Sequence, residues 1–195
     1  HLGASTEEAQ ENVALAVAEQ FVDFFKKGEV RNAVNAPSVD AATLVKLQPY
    51  IDLSEKMGRF MGQIIKTGVQ KVTINYSGEA AELETKPVTI AGIKGFLSAI
   101  VSDVNHVNAP YILKERGVDV VESFSSKEGI YTNLIEVTVD TTEGQRYLAG
   151  SVFNTGDLRF VKIDNYQIEV MPEGHMLVIY NQDKPGTVGK LGTIL

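Results

Sequence analysis

Residues 133–153 read NLIEVTVDTTEGQRYLAGSVF, and this stretch decides the fold. Two runs rich in β-formers, Asn133–Val139 and Arg146–Phe153, flank Thr142-Glu143-Gly144. A short polar break ending in glycine between two such runs is hairpin chemistry. The pattern extends outward: Asp119–Phe124 before it, Arg159–Ile163 and Gln167–Met171 after it. Asn154-Thr155-Gly156-Asp157 and Asp164-Asn165 supply the later turns. These spacings fit antiparallel hairpins. Upstream the period changes to that of helices, with one earlier strand, Val69–Tyr76, in which Val72, Ile74 and Tyr76 alternate with polar residues. Helices first and meandering strands after predict an α+β fold, with helices on one face of a largely antiparallel sheet.

The helical segments carry their own punctuation. Ser5 and Glu8 have capping-box spacing, and Ala9, Val13, Ala16, Val17, Phe21 and Phe24 line one face of a long first helix. Lys26 and Lys27 suit its C-terminus and Gly28 its stop. A helix this long and amphipathic needs a partner surface. Residues 29–40, small and polar around Pro37, read as a linker. Asp40–Leu47 predicts a short helix that Pro49 restarts, the second running to about Gly68. On that helix Gly58 and Gly62 predict close approach of another backbone. Pro87 and Thr89 open a helix whose apolar side runs from Ile90 to Val104, and Asn108–Arg116 forms a further one stopped by Gly117. After Pro172-Glu173-Gly174, His175–Asn181 predicts a strand and Thr187 the cap of a helix that reads as cut at Leu195.

Composition narrows function. Of 195 residues, 44% are apolar and the net charge is −7, which argues against nucleic acid or a polybasic membrane patch as partner. No apolar run reaches the ~18 residues of a membrane span. The absence of cysteine excludes disulfides and thiolate chemistry. His1, His106 and His175 lack metal-ligand spacing, so no metal is expected. No G-x-G-x-x-G follows a strand, so this chain is expected to bind no dinucleotide. Gly186-Thr187-Val188-Gly189-Lys190 falls short of a phosphate loop, because Lys184 and Leu191 stand where Gly and Ser/Thr are required. Lys86, Lys94, Arg116, Arg146, Arg159 and Lys162 could assemble an anion site, if the fold gathers them. From the residues alone the chain is an α+β binding module with attached pieces.

Three stretches resemble one family in order. His1-Leu2-Gly3-Ala4-Ser5-Thr6 looks like the end of the catalytic region of long-form D-3-phosphoglycerate dehydrogenases. Val107-Asn108-Ala109-Pro110-Tyr111-Ile112-Leu113-Lys114-Glu115-Arg116-Gly117 is similar to their intervening domain. Leu177-Val178-Ile179-Tyr180-Asn181-Gln182-Asp183-Lys184-Pro185-Gly186-Thr187-Val188-Gly189 resembles the first strand, loop and helix of an ACT (βαββαβ) domain. The resemblance implies a division into residues 1–28 (last helix of the catalytic region), the linker 29–40, an intervening allosteric domain 41–172 and a partial ACT domain 173–195. It implies that His1 matches the catalytic acid/base of the parent enzyme. It implies L-serine contacts at Asn181, Asp183 and Gly186, and an anion contact at Arg159, with a second family basic position occupied by Met171.

The expected role is therefore regulation and assembly within a cytoplasmic, homo-oligomeric, NAD-dependent enzyme of L-serine biosynthesis. The NAD would be bound elsewhere in that parent, and this chain alone would be inactive. The effector would be L-serine or a phosphate-type anion. Two rival readings are a stand-alone effector-binding module and the regulatory segment of an L-serine dehydratase.

Overall fold

The structure is a computed structural model that describes residues 6–27, 41–65, 68–126, 129–154, 156–182 and 184–194. It is α+β. The elements run α1 (Glu7–Lys27), α2 (Ala41–Ile64), β1 (Val69–Gly78), a 3-10 turn (Glu79–Glu82), α3 (Thr85–Ser98), α4 (Ala109–Glu115) and β2 (Asp119–Ser125). β3 (Asn133–Thr141), β4 (Gly144–Val152), β5 (Leu158–Ile163), β6 (Tyr166–Val170) and α5 (Thr187–Ile194) follow. The six strands form one sheet in the order β2-β1-β3-β4-β5-β6. Every neighbouring pair is antiparallel except β1 and β2. A parallel pair needs a long crossover, and α3 with α4 supplies it.

Register decides which face meets the helices. Tyr76 lies opposite Ile135, which lies opposite Gly150, and Ile74 opposite Val137, which lies opposite Leu148. These side chains are buried with Leu53, Met57 and Met61 of α2 and Phe96 and Leu97 of α3. Gly150 lets α2 come down on the sheet, since a Cβ there would sit 2.9 Å from Met57 Sδ. Gly58 and Gly62 do what their spacing predicts. A Cβ at Gly58 would lie 2.0 Å from Gly92 O, and one at Gly62 would lie 2.3 Å from Phe96 O.

The structure corrects several expectations. Pro49 does not divide α2, which is continuous from Ala41 to Ile64 and stops short of Gly68. Pro49 withholds its hydrogen bond from Val45, an exposed residue whose carbonyl water can satisfy, while Leu47 and Leu53 are fully buried. α3 ends at Ser98 rather than carrying its apolar face to Val104. The Ile100 and Val101 amides both turn back to Leu97 O at 2.8 Å, and Asp103 has φ 61°. His175–Asn181 is not a strand: among the described residues, 174–180 make no backbone–backbone hydrogen bond. The expected capping pair at Ser5, the Gly28 stop and the linker 29–40 lie outside the described residues. The cap that is described is Thr6 Oγ1, accepting from Ala9 N at 3.2 Å. The apolar face of α1 stays exposed, Phe25 to 78%.

Candidate functional site

The sheet face away from the helices is polar and ordered in rows. One row crosses five strands: Ser123, Asn75, Glu136, Ala149 and Lys162. Ser123 Oγ donates to Asn75 Oδ1 at 2.9 Å, and Asn75 Nδ2 donates to Glu136 Oε2 at 2.6 Å. The Tyr147 hydroxyl donates to the other oxygen of Glu136. Burial, then the bond to Glu136, pushes the Tyr147 hydroxyl well above its ordinary value, so it stays protonated. Lys162 Nζ sits 5.0 Å from the centre of the Tyr147 ring, a cation–π arrangement. Among the described residues no carboxylate lies within 4.0 Å of Lys162 Nζ.

Arg159 occupies the next row on the same face, opposite Ser151. It lies three residues from Lys162, yet the irregularity after Phe160 keeps both side chains on one face: Ser151 and Ala149, their partners, alternate normally along β4. The Arg159 guanidinium stacks at 6.0 Å from the Phe153 ring. Its Nη2 is 3.6 Å from Asp157, a loose ion pair. Its Nε is buried without a hydrogen-bond partner. A buried donor on a cation that lacks a tight counter-charge is costly until an acceptor arrives. A small anion would supply one with charge-assisted bonds.

The fold gathers only two of the six candidate cations. Arg146 pairs with Asp164 at 2.9 Å and Lys94 with Glu55 at 2.8 Å, both toward the helix side. Lys86 and Arg116 are exposed at the ends of helices. Asn181 and Gly186 are exposed in the C-terminal stretch, where Gly186 has φ 89° and open space around it. Asn181 lines a cavity of about 540 Å³ on the helix side of the sheet, so it and Arg159 face different sides. Asp183 and His1 lie outside the described residues. His106 sits exposed in a turn. Met171 is exposed just past the end of β6.

Sequence reasoning missed Tyr147, Glu136 and Asn75. Their polarity on alternate strand positions was visible, but only strand register could show that they share a row. Among the described residues no group of three or more His, Asp or Glu could hold a metal ion, and no helix is long and apolar enough to cross a membrane.

Comparison with known proteins fits this architecture to a family. Residues 46–164 match the family model described as the D-3-phosphoglycerate dehydrogenase intervening domain. The chain is similar along its whole length to D-3-phosphoglycerate dehydrogenases of Synechocystis sp. (38% identical), Archaeoglobus fulgidus (37%) and Bacillus subtilis (39%). It spans 36%, 37% and 37% of those proteins, little more than a third of each. With the family model covering helices α3 and α4 and strands β1 to β5 entire, the chain belongs to the D-3-phosphoglycerate dehydrogenase family through its intervening domain.

Proposed function

We propose that this chain is the regulatory portion of a D-3-phosphoglycerate dehydrogenase, and that it takes a small phosphate-type anion on the helix-free sheet face at Arg159, with Lys162 beside it. The observation that carries this reading is the buried, unpartnered Arg159 Nε on a guanidinium whose ion pair is only 3.6 Å close. The parent enzyme would oxidise 3-phospho-D-glycerate to 3-phosphohydroxypyruvate with NAD, opening L-serine biosynthesis. This chain's residues do not fit NAD, since no described strand leads through G-x-G-x-x-G into a helix. His1 would serve the parent's chemistry as acid/base. Residues 173–195 would begin an ACT domain, with Asn181, Asp183 and Gly186 contacting L-serine. The protein would act as a homo-oligomer in the cytoplasm. A relative in Arabidopsis thaliana, 34% identical, is named chloroplastic, which is said of that protein.

Regulation requires that the effector bind two states unequally. The test is NADH formation from 3-phosphoglycerate by a dehydrogenase that contains this chain, with and without inorganic phosphate or L-serine, in the wild type and in Arg159→Gln. Phosphate is expected to change the rate of the wild type and not of the variant. An equal phosphate response in both, or none in either, overturns the anion reading. A folded protein that forms no NADH overturns the dehydrogenase reading.

A further inference from the structure

Lys162 has a carboxylate in its own row of the helix-free face and does not pair with it. Glu136 on β3 and Lys162 on β5 both stand opposite Ala149 of β4. Two strand spacings separate their backbones, about 10 Å, a span that a glutamate and a lysine side chain bridge together. In the row only the Ala149 methyl group stands between them. An ion pair across Ala149 is therefore the arrangement to expect. The Lys162 ammonium instead lies 5.0 Å from the centre of the Tyr147 ring. Among the described residues no carboxylate comes within 4.0 Å of it.

Tyr147 accounts for the difference. It sits two residues before Ala149 on the same face of β4, diagonal to Glu136 on one side and to Lys162 on the other. Its backbone is fixed: its amide donates to Asp164 Oδ1 at 3.1 Å, and its carbonyl accepts from the Asp164 amide at 2.8 Å. Its hydroxyl donates to Glu136 Oε1, while Asn75 Nδ2 donates to Glu136 Oε2 at 2.6 Å. Ser123 Oγ in turn donates to Asn75 Oδ1 at 2.9 Å. Each oxygen of the Glu136 carboxylate thus has a donor of its own. The charge-assisted bond from the phenol and the contact between ring and ammonium together outweigh one ion pair that water screens.

We propose that Tyr147 is the positioning residue of the anion site: its hydroxyl occupies Glu136 and its ring holds Lys162, so that the ammonium stays unneutralised and serves as a second cation beside Arg159. The inference rests on the anion reading given above. Arg159 alone is paired only loosely, with Asp157 at 3.6 Å. With Lys162 kept free, the double charge of a phosphate group meets two cations rather than one.

Isothermal titration of inorganic phosphate into the full chain tests this with two substitutions. Tyr147→Phe keeps the ring and removes the hydroxyl, so Glu136 Oε1 loses its donor and draws Lys162 into an ion pair. Phosphate affinity is expected to fall about tenfold, the worth of one charge-assisted contact. Adding Glu136→Gln removes the competing charge, and the double variant is expected to recover at least the wild-type affinity. A Tyr147 that merely supports the fold predicts the reverse, because the second substitution would weaken the row further. Without phosphate, the Lys162 ε-methylene protons should carry an upfield ring-current shift by NMR. That shift should shrink in Tyr147→Phe and return in the double variant. Glu136→Gln alone keeps an acceptor for the phenol, so it should retain the shift and bind phosphate at least as tightly as the wild type. Equal phosphate affinity in the wild type and Tyr147→Phe overturns the inference and leaves the anion reading standing. So does a loss that Glu136→Gln fails to rescue, or a wild type without the ring-current shift. A wild type that binds no phosphate overturns the anion reading itself, and with it the role given to Lys162.

Discussion

Gly58 of α2 and Gly92 of α3 touch backbone to backbone, with the Gly92 carbonyl oxygen 2.0 Å from where a Cβ on Gly58 would stand. Nothing flexible lies there to move aside. Gly58→Ala must push the two helices apart and with them Met57 and Phe96, both in the core. Overpacking of this kind costs about 3 kcal/mol. Urea unfolding should show that loss, whereas Gly192→Ala on α5, where a Cβ meets open space, should leave the main transition in place.

Asn133 is the polar staple of the β3–β4 pair. Its Nδ2 donates to Val152 O and its Oδ1 accepts from Val152 N, both at 2.8 Å, in a site where Asn133 is 3% exposed. Asn133→Ala strands a buried donor and a buried acceptor. The expected loss is about 2–3 kcal/mol in chemical denaturation. Ser151→Ala, which removes a hydroxyl donating to Asn133 O and, at longer range, to Asn133 Oδ1, should cost about 1 kcal/mol.

Asp164 ties stability to pH. Partial burial raises its carboxyl, but the bonds from Arg146, the Tyr147 amide and Tyr180 outweigh that and hold it below its ordinary value of 3.8. A depressed carboxyl stabilises the fold fully above the unfolded value and loses that contribution as pH falls through the folded one. Unfolding midpoints followed downward from about pH 6 should therefore fall below about pH 4, and Asp164→Asn should flatten this limb. A limb equally steep in both proteins would remove Asp164 as its cause.

α1 presents Phe21, Phe24 and Phe25 to solvent, and the sheet domain closes its core without them. A chain shortened to residues 41–195 should keep its unfolding free energy within about 0.5 kcal/mol. Calorimetry on both chains checks this. A larger loss would mean that α1 packs on the sheet domain in solution.

The hairpins from Asn133 onward were legible because turn residues and β-rich runs alternate there, and the paired glycines of α2 announced a helix contact. Asp119–Ser125, expected in the same hairpin series, instead pairs parallel to β1, because the α3–α4 crossover carries it to the other side of β1. The continuity of α2 through Pro49 was not, because local proline chemistry argues for a break and only the burial of Leu47 and Leu53 outweighs it. His175–Asn181 is the converse case. It has strand composition, yet composition cannot supply a neighbour to pair with, and Tyr180 is instead held through its side chain. Of the proposed site, Arg159 and Lys162 both stood among the six candidate cations, Arg159 through the resemblance as well. What the residues could not show is that these two share a face, because that rests on the irregular pairing after Phe160, which brings residues three apart onto one side.

The proposed anion site on the helix-free face stands or falls with Arg159. Isothermal titration of inorganic phosphate, and then of 3-phosphoglycerate, into the full chain tests it most directly. Saturable binding is expected, weakened at least about tenfold in Arg159→Gln, the loss of one charge-assisted contact worth about 1.5–3 kcal/mol. Absence of saturable heat, or equal affinity in the wild type and the variant, would contradict it.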